Sequence, residues 1–93
     1  MNLTEIQVAI AKLEQAKGWI NTPDQKMTFL VEELGEAAKW VRRARAQQLT
    51  DQEKQELNYE LADVLQHLIS LANDFELNLE QGLVQKKGLH PDA

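Results

Sequence analysis

The sequence contains no cysteine, and only two prolines and four glycines occur among its 93 residues. Without cysteine, a disulfide framework, a thiolate zinc site and a cysteine nucleophile are excluded, so any bound metal must use oxygen or imidazole ligands. The 43% of hydrophobic and 27% of charged residues are typical of a globular chain, not of a disordered or fibrous one. The length predicts a single domain over residues 1–93.

Positive charge is also scarce, because ten Lys and Arg against fifteen Asp and Glu give a net charge of -5. Such a protein repels a phosphate backbone, which argues against broad nucleic-acid binding. Long hydrophobic runs are missing, and no basic segment followed by an apolar one begins the chain, so neither a membrane-spanning helix nor a secretory signal is predicted. We therefore expect a cytoplasmic protein with no nucleic-acid partner and no membrane partner.

Apolar residues recur at steps of three and four along four segments, which is the spacing of amphipathic helices. Thr22, Thr50 and Asn78 stand at capping positions, while two overlapping capping boxes, beginning at Asn2 and Thr4, compete for the start of the first helix. We expect helices over about residues 4–17, 23–47, 51–75 and 79–87, followed by a tail over residues 89–93. The sequence thus predicts an all-α fold, a helical bundle of about four helices completed by dimerisation.

Four acidic residues flank the apolar stripes of the second and third helices in the same way. At about 100° per residue, and with Leu30 of the apolar stripe at zero, Glu33 lies near -60° and Glu36 near -120° around the second helix. Glu60 and Asp63 have the same two angles on the third helix. If the two helices pack antiparallel through their stripes, we expect the four carboxylates to meet at one edge of the pair.

A cluster of carboxylates favours a bound cation, since like charges a few ångströms apart repel each other. Oxygen ligands without cysteine select Mg²⁺ or Mn²⁺, and Mg²⁺ commonly binds substrate phosphates beside a few carboxylates, so a phosphorylated substrate is expected. A ferritin-like iron site is a poor match because the sequence lacks its Glu-x-x-His pairs. The alternative interpretation is that these acids are ordinary solvated residues beside an apolar stripe.

Two stretches of the sequence carry a recognisable signature. Glu32-Glu33-Leu34-Gly35-Glu36 is followed, after 23 intervening residues, by Glu60-Leu61-Ala62-Asp63. This pattern resembles the EExxE…ExxD signature of the MazG-type nucleoside triphosphate pyrophosphohydrolases, all-α enzymes that split an NTP into NMP and pyrophosphate. The similarity begins at Gly18-Trp19 and continues to Leu77-Asn78-Leu79-Glu80, so it covers most of the chain.

The resemblance implies an Mg²⁺-dependent hydrolase of standard or non-standard NTPs or dNTPs that maintains the nucleotide pool, with Mn²⁺ as an alternative cofactor. It implies that the Mg²⁺ ligands are Glu33, Glu36, Glu60 and Asp63. It also implies that Glu32 is a supporting or water-orienting carboxylate and that Lys86 faces the phosphates from the last helix. Enzymes acting on dUTP or phosphoribosyl-ATP share the scaffold, and the sequence does not choose among these substrates.

Two aromatic residues border the acidic edge, because Trp40 stands four residues after Glu36 and Phe29 four before Glu33. Either ring can stack on a nucleobase, although burial against a neighbouring helix or subunit is the more common use of such a side chain. The apolar stripes and these two rings together present more apolar surface than one short helix can cover. An obligate homo-oligomer, a homodimer or a dimer of dimers, is therefore expected, in agreement with the resemblance.

One alternative belongs to a different functional class. After Lys86, family members often continue with a further Lys-Asn and an Arg, whereas this sequence has Lys87-Gly88-Leu89-His90. This difference favours a non-enzymatic helical dimerisation module derived from the family. The presence of all four predicted ligands favours the enzyme.

Overall fold

A computed structural model describes residues 1–89, and these residues form four α-helices and no strand. The helices are α1 (Leu3–Lys17), α2 (Pro23–Ala46), α3 (Asp51–Asp74) and α4 (Leu79–Lys87). The predicted all-α class with four helices is confirmed, and the predicted helix boundaries agree with these to about one residue. The predicted tail falls, apart from Leu89, outside the described residues.

Side-chain caps decide where the helices begin. Thr22 and Thr50 each exchange hydrogen bonds with the residue three positions later, so that both form complete capping boxes. Of the two capping boxes predicted for the start of α1, the structure contains the one that begins at Asn2. The Asn2 Oδ1 accepts a hydrogen bond from the backbone N–H of Glu5 at 2.8 Å. This bond pairs a donor that the first helical turn leaves free, and α1 therefore begins one residue earlier than predicted.

The chain divides into two compact units. The first, here the terminal unit, comprises Met1–Ile20 together with the residues from Ile69 onward. The second, here the hairpin unit, is Asn21–Leu68 and contains α2 and most of α3. Among residues 1–89, none of the helices combines the length and the apolar character that crossing a bilayer requires. The single domain over residues 1–93 stays a prediction.

The terminal unit is organised around the buried amide of Gln7, which is 6% exposed. Its Nε2 donates to Asn73 Oδ1 at 3.0 Å and to the carbonyl of Leu77 at 2.9 Å. Its Oε1 accepts the N–H of Leu79 at 2.9 Å. Because a buried amide without partners is costly, these bonds fix α1 against the turn that joins α3 to α4.

In the hairpin unit, α2 and α3 run antiparallel. Near the start of α2 the ring of Phe29 lies 5.6 Å from that of His67, between centroids. Near its end, Arg43 Nε lies 3.1 Å from Glu53 Oε2. Residues near the start of α2 thus contact residues late in α3, and residues near the end of α2 contact the start of α3. This is the arrangement of antiparallel helices joined by a short connection.

The apolar stripes of the hairpin unit are only partly covered. Ala37 is 2% exposed, but Val31 is 59% exposed, Leu34 50% and Leu61 47%. The sequence places these residues in the apolar stripes, where burial is expected. They remain exposed because two helices of one chain cannot enclose both stripes. The exposed members fall within one arc of each helix, and we call them the apolar face: Met27, Val31, Leu34, Val41, Leu61, Leu65 and Leu68.

Candidate metal centre

Three of the four predicted metal ligands come together in the hairpin unit. One carboxylate oxygen from each of Glu33, Glu60 and Asp63 lies within 4.8 Å of the other two. Glu33 and Glu60 are half-buried, and Asp63 is exposed. Glu60 and Asp63 are one helical turn apart on α3, and the antiparallel pairing brings Glu33 of α2 opposite them.

The carboxyl group of Glu60 has a raised pKa. A hydrogen bond to Glu33 raises the pKa of Glu60, and partial burial and the charges of its acidic neighbours raise it further. Its Oε2 is buried and has no hydrogen-bond partner among residues 1–89. A buried carboxylate oxygen without a donor is unfavourable, and a cation placed beside it would remove that cost.

The donor set fits a hard divalent cation. All three groups offer carboxylate oxygens, which are the ligands that Mg²⁺ and Mn²⁺ prefer in proteins. Mg²⁺ also retains several waters or takes phosphate oxygens, and the exposure of Asp63 leaves the group open to both. The residues present can therefore hold such an ion, and Glu60 Oε2 is a buried carboxylate oxygen without a hydrogen-bond partner among residues 1–89.

Glu36, the fourth predicted ligand, lies beside this group and not within it. Its Oε2 lies 3.4 Å from the ammonium nitrogen of Lys39, one turn further along α2. Both side chains are more than half exposed. The charge of Glu36 nevertheless contributes to raising the pKa of Glu60, so the two carboxylates are close enough to interact.

Trp40 and Phe29, the two rings predicted to stack on a nucleobase, each contact another side chain of the hairpin unit. The guanidinium of Arg43 lies 5.7 Å from the centroid of the Trp40 ring, within the range of a cation–π interaction. Arg43 is in turn paired with Glu53, as described above. Phe29 packs against His67 at an interplanar angle of 44°. Both rings are half-buried, so each has a fixed position and keeps part of its surface accessible.

The remaining predicted site residues are exposed. Glu32 precedes Glu33 on α2 and is about 100° away from it around the helix axis. Lys86 lies in the last turn of α4, next to Lys87, in the terminal unit. The roles of Glu32 as a supporting carboxylate and of Lys86 as a phosphate contact stay predictions.

Two charged contacts were not identified from the sequence. The pair of Glu36 and Lys39 has an i,i+3 spacing, which is a signal that a search for helical ion pairs could have found. Glu53 is recognisable in the sequence only as the last residue of the capping box Thr50-Asp51-Gln52-Glu53. The hydrogen bond that the Thr50 N–H donates to Glu53 and the positive charge of Arg43 lower the pKa of Glu53. The contact with Arg43 depends on the register between two helices.

Comparison with known proteins identifies the family of the chain. The sequence model of the MazG nucleotide pyrophosphohydrolase domain matches residues 21–87, a range that contains α2, α3 and α4 and every predicted site residue. The chain therefore belongs to the MazG nucleotide pyrophosphohydrolase domain family, and the resemblance inferred from the sequence is confirmed. No curated protein and no solved structure matches the chain significantly.

The raised pKa of Glu60 predicts a pH-dependent stability of the metal-free protein. The folded state binds this proton more tightly than the unfolded state, whose carboxyl has a pKa of about 4.3. The stability that Glu60 contributes is therefore complete below that pH and decreases as the pH rises toward the folded-state pKa. In EDTA, we expect the Tm difference, wild type minus Glu60→Gln, to fall as the pH is raised from about 4 to 7.

Glu56→Gln is the matched control for this measurement, because Glu56 is an exposed residue of the same helix. Its profile should run parallel to that of the wild type. A Glu60→Gln profile that is also parallel to the wild type across the range would contradict the prediction.

Proposed function

We propose that this chain is a divalent-cation-dependent nucleoside triphosphate pyrophosphohydrolase. It would release NMP and pyrophosphate from standard or non-standard NTPs or dNTPs, which is a housekeeping role in the nucleotide pool. The observation that carries the proposal is the group of Glu33, Glu60 and Asp63, whose oxygens lie within 4.8 Å in a member of the MazG family. A carboxylate site of this kind suits the Mg²⁺ complex of a triphosphate.

In this proposal Glu33, Glu36, Glu60 and Asp63 hold Mg²⁺, for which Mn²⁺ can substitute. A bound divalent ion supplies an activated water and neutralises charge on the phosphates. The half-buried Glu33 and Glu60 provide fixed ligands, and the exposed Asp63 keeps the site accessible to a triphosphate. Glu32 is proposed to orient the attacking water. Hydrolysis of the α–β anhydride bond then gives NMP and pyrophosphate.

Water is the proposed nucleophile because the chain offers no suitable covalent one. The sequence has no cysteine. Ser70 is 2% exposed, and its hydroxyl donates to Glu14 Oε2 at 2.7 Å within the terminal unit, so it is neither accessible nor paired with a histidine base.

The proposal assigns substrate contacts to three further residues. Lys86 would bind the phosphates, and Trp40 or Phe29 would stack on the base. Base preference would follow from the ring surfaces left accessible beside Arg43 and His67. A screen of NTPs and dNTPs with Mg²⁺, scored by release of pyrophosphate against phosphate, would identify the preferred substrate, with dUTP and phosphoribosyl-ATP included.

Loss of one ligand should separate a metal site from a set of solvated acids. For the wild type we expect Mg²⁺ to raise the Tm, because binding increases the free energy of unfolding by RT ln(1 + [L]/Kd), or about 2.7 kcal/mol at a hundredfold excess over Kd. Glu33→Gln should show a smaller Mg²⁺ response and a turnover lower by orders of magnitude, because it loses a ligand. Without metal it should be no less stable than the wild type, since repulsion around Glu60 is relieved.

Thermal melts in EDTA and in Mg²⁺, together with pyrophosphate release, measure these effects. Glu56→Gln removes the same charge from an exposed position and should behave as the wild type. Wild-type pyrophosphate release and an unaltered Mg²⁺ shift in Glu33→Gln would defeat the assignment of this ligand. A wild-type protein that responds to neither Mg²⁺ nor nucleotide would favour the dimerisation-module alternative.

Lys86→Ala tests the proposed phosphate contact. Removing an ammonium that binds the triphosphate should raise KM or lower kcat at least severalfold. Lys87→Ala is the matched control, because the two lysines are adjacent in the last turn of α4 and both exposed. Equal kinetics for both variants and the wild type would show that Lys86 is an ordinary solvated lysine.

We also propose a homodimer, or a dimer of dimers, assembled through the apolar face. The support is that large side chains such as Val31 and Leu34 remain half exposed or more, and a second copy can cover them without any further partner. Sedimentation at micromolar concentration should show a species larger than 10.6 kDa. Leu61→Asp should dissociate it, because assembly would bury a charge.

Ile20→Asp is the control for dissociation, because Ile20 is 91% exposed and lies outside the apolar face. It should leave the assembly intact. A wild-type protein that sediments only as a 10.6 kDa species would contradict this proposal.

A further inference from the structure

Lys39 forms an ion pair with Glu36, one of the four predicted metal ligands. Its ammonium nitrogen lies 3.4 Å from Glu36 Oε2 and 3.5 Å from Glu36 Oε1, so it contacts both oxygens of the carboxylate. The other three acids have acidic neighbours instead, and Glu60 keeps a partnerless oxygen. The four predicted ligands are thus divided into three that crowd together and one that is neutralised locally.

This division has an electrostatic reason. A fourth carboxylate within the group would add repulsion to a site that already holds three, and an ammonium one helical turn away offers it a favourable alternative. A divalent cation held by the other three acids would reverse the balance, because its double charge attracts a carboxylate more strongly than a solvated ammonium does. Glu36 would therefore have two competing partners, Lys39 and a bound divalent cation.

We propose that Lys39 is a positioning residue that holds Glu36 apart from Glu33, Glu60 and Asp63 and so competes with a divalent cation for this carboxylate. This inference rests on the proposed function, since it concerns the same cation. Lys39 then lowers the affinity of the site for the cation by competing for one of its ligands. The removal of Lys39 should tighten cation binding, whereas the loss of a merely structural surface lysine should not affect it.

The expected size of the effect follows from exposure. The side chains of Lys39 and Glu36 are 65% and 54% exposed, so water screens their attraction. Ion pairs of this kind change an equilibrium constant by at most about fivefold. We therefore expect Lys39→Met to lower the Kd for Mn²⁺ about two- to fivefold in the absence of nucleotide.

A double-mutant cycle tests the route of this effect. Isothermal titration calorimetry with Mn²⁺ alone would compare the wild type, Lys39→Met, Glu36→Gln and the double variant. Glu36→Gln should weaken binding, and adding Lys39→Met to it should cause no further change, because the group that Lys39 competes for is gone. The same tightening in both backgrounds would overturn the proposal, because Lys39 would then act only through its general positive charge.

Lys54→Met is the matched control, since it removes the same charge from an exposed position of α3 in the same unit. It should leave the Kd for Mn²⁺ within error of the wild type, and an effect as large as that of Lys39→Met would overturn the inference. All three substituted positions are exposed, and far-UV circular dichroism verifies that each variant is folded.

The wild-type titration separates this inference from the function on which it rests. A wild type that binds Mn²⁺ and releases pyrophosphate, with an unchanged Kd in Lys39→Met, would defeat the role of Lys39 alone. A wild type that binds no Mn²⁺ would defeat the proposed function and this inference together.

Discussion

The repulsion among carboxylates held close together is the constraint on which the hairpin unit depends. Glu33, Glu60 and Asp63 place oxygens within 4.8 Å of one another, a distance at which three full negative charges are unfavourable in a half-buried site. The raised pKa of Glu60 is one consequence of this crowding. Glu36 is neutralised separately, through Lys39. A bound cation would supply the compensating positive charge.

The acids can be held in this way because contacts on both sides of them fix the register of α2 and α3. The ring contact of Phe29 with His67 lies toward one end of the pair. The ion pair of Arg43 with Glu53 lies toward the other, where the capping box of Glu53 anchors the start of α3. A slip of one residue between the helices would rotate Glu60 by about 100° away from Glu33. The site therefore depends on residues that do not belong to it.

The sequence predicts the helices well because their signals are local. Capping boxes and a period of 3.6 are properties of a few neighbouring residues, and they locate each helix to about one residue. The angular positions of Glu33, Glu60 and Asp63 are local as well, and one assumption of antiparallel packing suffices to bring them together. The pairing of Arg43 with Glu53 depends on the register of two helices, which periodicity does not contain.

Two further features lie beyond the reach of such patterns. The partner of Glu36 depends on a choice between rotamers, one toward Lys39 and one toward the other acids, and the helical wheel permits both. The wheel also identifies an apolar stripe without showing how much of it a neighbour covers. Leu34 occupies the centre of its stripe and is nevertheless 50% exposed, because coverage is a property of the assembled surfaces.

The acidic edge and the apolar face share the same two helices, and their angular separation connects assembly with chemistry. Glu33 lies about 100° around the α2 axis from Leu34 of the apolar face, so a second copy seated on that face would lie beside the acidic edge and would reduce its exposure to water. Lower solvent exposure strengthens every charge interaction in the site, both the repulsion among the acids and the attraction of a cation for them. The site without a cation would become less favourable, and the site with a bound cation would become more favourable. Assembly through the apolar face would in this way increase the affinity for a divalent cation without contributing a single ligand.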